Sequence, residues 1–255
     1  MYTIPNQPYL RTGDPLNRGL VMGLPMQEPN GPDTRDISGM RNHGTLVNGP
    51  TRVMTPMGRG IYCVAADTSS IATPVYINPK LPGSFFYWVR WVAISGGQLS
   101  GCTAANNRLY VGIFNQSAYA GCGNSTSYDV PHGMTAGNWY HVGLTWDGSL
   151  AECWIDGKKI VGLSYTSAGL IADPLYISKR GGGTEGEYES TATFTSATIH
   201  SRVLAPAEIR KLAGLDGDPF EQWRPEPRRR VYAMRRWIDR SYPRGVLRGV
   251  QQGVA

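Results

Sequence analysis

A chain of 255 residues with 41% hydrophobic residues can bury a substantial core, and this excludes wholesale disorder. No run approaches the roughly 18 apolar residues of a spanning helix, and Met1–Leu10 has neither the basic nor the apolar region of a signal peptide, so neither membrane insertion nor secretion is expected. The net charge of +6 sits at one end: residues 218–255 hold nine Arg against four acids, whereas the first 217 carry 16 basic and 15 acidic groups, so the body has no basic footprint for nucleic acid.

Residues 1–17 contain Pro5, Pro8 and Pro15 without periodicity and read as an extended N-terminal arm. Beyond them, short β-rich runs recur between Gly, Pro and Asn punctuation. They are Gly19–Met26, Gly44–Asn48, Gly60–Ala65, Phe85–Ile94, Arg108–Phe114, Trp139–Trp146, Ala151–Ile155, Lys159–Tyr165, Leu175–Ser178 and Ser190–Ser201. Asp147-Gly148 and Asp156-Gly157 stand between such runs as hairpin turns. A single helix follows: Pro206 opens it, Glu208 lies in its first turn, Ile209 and Leu212 share a face, and Gly214 stops it. Many strands with one short helix predict an all-β antiparallel sandwich of jelly-roll type over residues 18–217. Residues 218–255 read as an Arg-rich C-terminal arm, in which Val231, Met234 and Ile238, with Trp237 beside them, would make one apolar helical stripe.

The chemistry-bearing residues are thinly spread. Cys63, Cys102, Cys122 and Cys153 form no CxxC pair, which excludes a zinc ribbon or a redox motif. Four buried or free thiols are the preferred reading, over pairing of Cys102 with Cys122 across a hairpin. Glu185, Glu187 and Glu189 alternate, and on a strand neighbours would lie about 6.5–7 Å apart, a spacing that glycosidases use. They stand in a Gly-rich run, however, and read as a solvated acidic loop. Gly181, Gly183 and Gly186 match a dinucleotide fingerprint, but a β-rich segment follows where a helix is required. His43, His132, His141 and His200 show no metal spacing, and His141 and His200 are expected to pack within strands. With no set of catalytic partners, the chain is not expected to be an enzyme. Polar loops at Ala104–Asn107, Asn115–Tyr119 and Gly123–Tyr128 could contact sugars, while Trp88, Trp91, Trp139, Trp146 and Trp154 fall on strands and are expected in the core.

Three blocks carry a resemblance. Gly19–Met26 with Asp36–Pro50, then Asn138–Gly148 with Glu152–Lys158, and finally Ala197–Ile209 run in order through the chain. Together they resemble laminin-G-like jelly rolls of the concanavalin A-like lectin/glucanase superfamily. The resemblance implies a calcium loop at Asp36, Ser38, Asn42 and Gly44, since a carboxylate, an amide and loop carbonyls supply the oxygens that calcium requires. The family's later acidic ligand aligns near Thr195, which removes one charge. The competing reading is that Asp36 and Asn42 pin a turn.

Asp218–Pro225 and the Arg run after it resemble tails on phage-encoded members. This implies a virion structural protein, made in the host cytoplasm, whose jelly roll decorates the capsid while its arms clamp neighbours in an oligomer or lattice. A carbohydrate-binding host-adhesion module is the alternative, with a glycan as partner, and a glycoside hydrolase ranks behind both. Trp223, Arg228, Arg229, Arg230, Tyr232, Arg235, Arg236 and Trp237 are the expected docking residues, through Arg forks and aromatic anchors. Docking on capsid or tail subunits ranks ahead of packing on the chain's own body and ahead of nucleic acid.

Overall fold

The computed structural model describes residues 2–5, 8–11, 13–93, 97–102, 109–114, 117–122, 130–131, 133–167, 169, 172–178 and 191–224, with backbone alone at 97–102, 112–114, 117–122 and 130–131. Strands dominate, as the punctuated β-rich runs predict. In chain order they are β1 (Leu20–Leu24), β2 (Asp33–Thr34), β3 (Gly44–Val47), β4 (Thr51–Thr55), β5 (Gly58–Cys63), β6 (Ser70–Ile77), β7 (Gly83–Trp91) and β8 (Gly97–Cys102). There follow β9 (Leu109–Phe114), β10 (Ser117–Cys122), β11 (Val130–Pro131), β12 (Trp139–Trp146), β13 (Leu150–Ile155), β14 (Lys158–Ser164), β15 (Asp173–Ile177) and β16 (Ala192–His200). The predicted helix is α1 (Pro206–Leu212).

Among the described residues the strands form two antiparallel sheets. One runs β14-β13-β12-β7-β16-β5-β4, with β1 also on β16; the other runs β11-β10-β9-β8-β15-β6-β3-β2. Residues alternating inward from both sheets, such as Phe85, Tyr87, Val89 and Trp91 of β7 against Ile71, Leu109 and Ile177, share one buried core. This is the predicted sandwich. No helix among the described residues is long and apolar enough to cross a membrane.

Local chemistry sets the connections. Asp156 (φ 45) and Gly157 (φ 71) both take positive φ in the two-residue turn between β13 and β14, as a type I′ hairpin requires. Asp147 Oδ1 accepts from the backbone N–H groups of Ser149 and Leu150, each at 2.8 Å, closing the turn between β12 and β13. Glu208 accepts from the Ala205 N–H at 2.9 Å and from both ends of the Arg202 guanidinium at 2.6–2.7 Å, which fixes the start of α1.

Two expectations are corrected here. The N-terminal segment is extended but is not a separate arm: Ile4 is buried and donates its N–H to the Met57 carbonyl at 2.8 Å, and Leu16 is buried against Phe86 and Ile209. Likewise the compact unit runs through Arg224, not to 217, because Phe220 and Trp223 add apolar surface that the sheet face buries. The second unit, 225–255, lies outside the described residues.

Candidate functional site

The outward face of the β7 sheet is built in cross-strand rows, and their covering is uneven. Phe86 and Trp154 lie under α1, packed with Leu16, Leu204, Ile209 and Leu212. The next row includes Trp88 opposite His141, and here Ile4, Met57, Phe220 and Trp223 form a lid. The last row is only partly covered: Arg90 is exposed, Tyr62 and Trp139 are half-buried and Thr193 is buried. It runs from Trp139 on β12 to Arg90 on β7, Thr193 on β16 and Tyr62 on β5, each the direct partner of the next.

This row floors a groove of about 310 Å³, at the lower end of the range for small-molecule sites. Val53, Met54, Thr55, Pro56 and Val92 complete its walls. Met54 is 76% exposed and Val92 57% exposed, so the rim offers apolar surface to solvent. Tyr62 and Trp139 are half-buried, each leaving part of a ring accessible. Gly60 keeps the floor low: a Cβ there would stand 2.7 Å from the Phe194 carbonyl and 3.2 Å from the Thr193 methyl. Arg90 donates from Nε to the Gly137 carbonyl at 2.8 Å. Chemically the groove combines two aromatic faces, threonine hydroxyls and one cation, a set that can hold a polar ring compound. Sequence reading missed Tyr62, Arg90 and Thr193. The alternation of β7 does place Arg90 outward, but nothing local says that this row is left partly uncovered.

The expected calcium loop is brought together, yet its chemistry does not fit a metal. Asp36 is 5% exposed. Its Oδ1 accepts from the N–H groups of Gly23 (2.8 Å) and Ser38 (2.9 Å), and its Oδ2 from the Ser38 hydroxyl (2.6 Å) and the Asn42 N–H (2.9 Å). Asn42 turns its amide N–H to the Val21 carbonyl at 2.9 Å. Thr195, in the acidic ligand's place, donates to the Arg59 carbonyl at 2.9 Å. Gly44 serves packing, since a Cβ would press on Thr34 and Ile71. Every carboxylate lone pair is engaged by protein donors, so Asp36 pins the turn. No group of three or more His, Cys, Asp or Glu able to hold a metal occurs among the described residues.

Trp223 is corrected from docking anchor to core residue: it is 0% exposed and stacks on Phe220 with ring centroids 5.7 Å apart. Arg228, Arg229, Arg230, Tyr232, Arg235, Arg236 and Trp237 lie outside the described residues, as do Glu185, Glu187 and Glu189, and the loops 104–107, 115–116 and 123–128. Of the strand tryptophans, Trp91, Trp146 and Trp154 are buried as expected, while Trp88 and Trp139 are only half-buried. Cys63 and Cys153 are free, and burial pushes both thiols up to about 12. Cys102 and Cys122 sit on β8 and β10, which flank β9. Two strand spacings, about 9.6 Å, exceed the reach of a disulfide.

His141 and His200 pack as predicted. His141 stacks on Phe86 at 5.2 Å, and His200 Nε2 donates to the Leu16 carbonyl at 2.9 Å. Burial pushes them down to about 3 and about 4, so both are neutral at ordinary pH.

No protein-family model and no curated protein matches the sequence. Solved structures do match the fold. Trypanosoma rangeli sialidase in complex with sialic acid is similar with a TM-score of 0.62 at 19% identity, covering 76% of this chain and 32% of that one. The binding domain of Paraclostridial Mosquitocidal Protein 1 gives 0.59 at 15% identity, over 78% of this chain and 52% of its own. The binding domain of Botulinum Neurotoxin DC in complex with SialylT gives 0.59 at 13% identity with the same coverages. The chain thus spans about a third of the sialidase and about half of each toxin fragment. At these identities the likeness establishes a β-sandwich fold and nothing finer. It also overturns the expectation that the chain is not an enzyme: the same sandwich forms part of a sialidase, so the fold supplies no ground for setting catalysis aside.

Proposed function

We propose that this chain is a carbohydrate-binding module that holds a glycan in the open groove on the outward face of the β7 sheet. The observation that carries the reading is the groove over Tyr62, Thr193, Arg90 and Trp139, on a face that α1 and the lid around Trp223 cover only in part. Sugar rings present apolar C–H faces bordered by hydroxyls. Aromatic side chains accept the former, and threonine, tyrosine and arginine pair with the latter. The groove is lined by both kinds of group. The sandwiches of a sialidase seen with sialic acid and of a neurotoxin binding domain seen with SialylT support the same direction. A glycan array probed with the full chain tests it, with Tyr62→Ala as the control. Saturable binding that the substitution weakens about tenfold is the expected result, in line with the loss of one aromatic anchor. Silence across the array, or binding indifferent to Tyr62, overturns it.

A second reading concerns where the module is held. The resemblance of Asp218–Pro225 and the Arg run to phage-encoded tails supports a place on a virion, as a capsid decoration with the sandwich outward. In that reading Arg228, Arg229, Arg230, Tyr232, Arg235, Arg236 and Trp237 dock on capsid or tail subunits. Phe220 and Trp223 take no part, being buried in the domain. A chain ended after Arg224 should fail to join particles that the full chain joins. Equal incorporation of both would sink the virion reading.

A further inference from the structure

The geometry points to an acidic saccharide as the occupant of the groove, its carboxylate held by the Arg90 guanidinium while its ring lies against Tyr62 and Trp139. This inference rests on the glycan reading above and narrows it to one chemical class.

Three observations carry it. First, five of the ten described arginines are held by acids: Arg11 by Glu221, Arg52 by Glu28, Arg202 by Glu208, Arg210 by Asp216 and Arg224 by Asp218; of the other five, Arg90 is the one that lines the groove. Arg90 has no carboxylate partner among the described residues. Second, Arg90 is oriented. The bond from its Nε to the Gly137 carbonyl leaves both terminal nitrogens to donate elsewhere, which is the two-pronged arrangement that matches a planar carboxylate. Third, the other groups lining the groove are uncharged. An anion entering there meets one cation and no opposing acid.

A neutral sugar would leave the terminal nitrogens of Arg90 to water or to ring hydroxyls. A sulfate ester could also accept from both prongs of the fork, so it enters the test as a separate arm. A carboxylate engages both terminal nitrogens, which a neutral ring does not.

The test is calorimetric titration of the full chain with matched pairs: sialyllactose against lactose, and trigalacturonate against its methyl ester, with a sulfated lactose as a third arm. In at least one pair the acid should bind about tenfold or more tightly than its neutral partner, the scale of a charge-assisted pair. That advantage should shrink with added salt. Arg90→Gln should erase it, bringing the acid and the neutral member to equal affinity, and Arg90→Lys should keep only part of it, having charge without the fork. An equal melting temperature for Arg90→Gln shows that the loss is not one of folding. If acid and neutral members bind alike, if Arg90→Gln keeps the preference, or if the sulfated sugar binds best, the inference fails while the glycan reading stands. If no member of any pair binds and the array is silent, both fail together.

Discussion

The backbone N–H of Tyr9 donates to the carbonyl of Trp223 at 2.9 Å, and Arg11 repeats the contact on Gln222 at 2.7 Å. Segments 214 residues apart in sequence are thereby tied over one sheet face, and the Arg11–Glu221 ion pair at 2.6 Å sits beside them. Trp139, a wall of the groove, packs against the same cluster. The lid thus both closes the sandwich and supports the candidate site.

Removing the Trp223 indole should therefore be costly. Trp223→Ala empties a fully buried site in the lid and is expected to destabilise by about 3–5 kcal/mol, read from urea unfolding. A chain ended after Arg224 should keep the parent's midpoint, and one ended after Gly217 should lose stability on the scale of Trp223→Ala or more. A chain ended after Gly217 that unfolded with the parent's midpoint would refute the role given to the lid.

Acid should weaken the fold through His141 and His200. Both bind protons less readily when folded than when unfolded, because burial disfavours the imidazolium. Their contribution is complete above about pH 6.5, the unfolded value, and declines as pH falls towards about 4 for His200 and about 3 for His141. At pH 5 each should have cost about 2 kcal/mol. Unfolding free energies measured from pH 7 to 4.5 check this, and His141→Gln should flatten its share of the slope.

Gly143 faces Trp154 across the β12–β13 pair and Phe86 across the β12–β7 pair. A Cβ at this position would overlap the Phe86 ring and the Phe85 carbonyl, neither of which can retreat under α1. Gly143→Ala should cost at least about 2 kcal/mol by overpacking, seen as a lower melting temperature. An unchanged melting temperature would mean that the ring has room.

Asp36 should behave as a turn pin. Asp36→Ala strands the donors of Gly23, Ser38 and Asn42 and should destabilise by about 2–4 kcal/mol. Calcium or a chelator should leave the melting temperature of the parent chain unchanged. A calcium-dependent rise would restore the metal reading.

The class of fold was legible in the chain because its signals are local. Asp156-Gly157 can adopt the two positive φ values of a tight hairpin, and Pro206 with Glu208 starts a helix wherever it stands. Strand β4 escaped notice because it is short, polar and at a sheet edge, and β6 because Pro74 interrupts it. The register shift between β15 and β6 falls beside that proline, which lacks the N–H a regular ladder would need.

Other features depended on tertiary structure alone. Ser196, at φ 55 where β16 shifts register against β7, inverts the alternation, so that Thr193 and Thr195 share an outward face with Thr198 and His200. No local pattern announces such a bulge. The Phe-x-x-Trp at 220–223 has the composition of an anchor for a partner, and only the presence of Ile4, Met57 and Trp88 across the fold makes it core. The open groove exists for the same reason: α1 and the lid cover part of the sheet face and stop short of Arg90. Turn and strand propensities are properties of a few adjacent residues, so the sequence alone determined the sandwich. Which face is covered, and which row is left partly to solvent, depends on segments some 200 residues apart meeting in space, and that the folded chain alone decided.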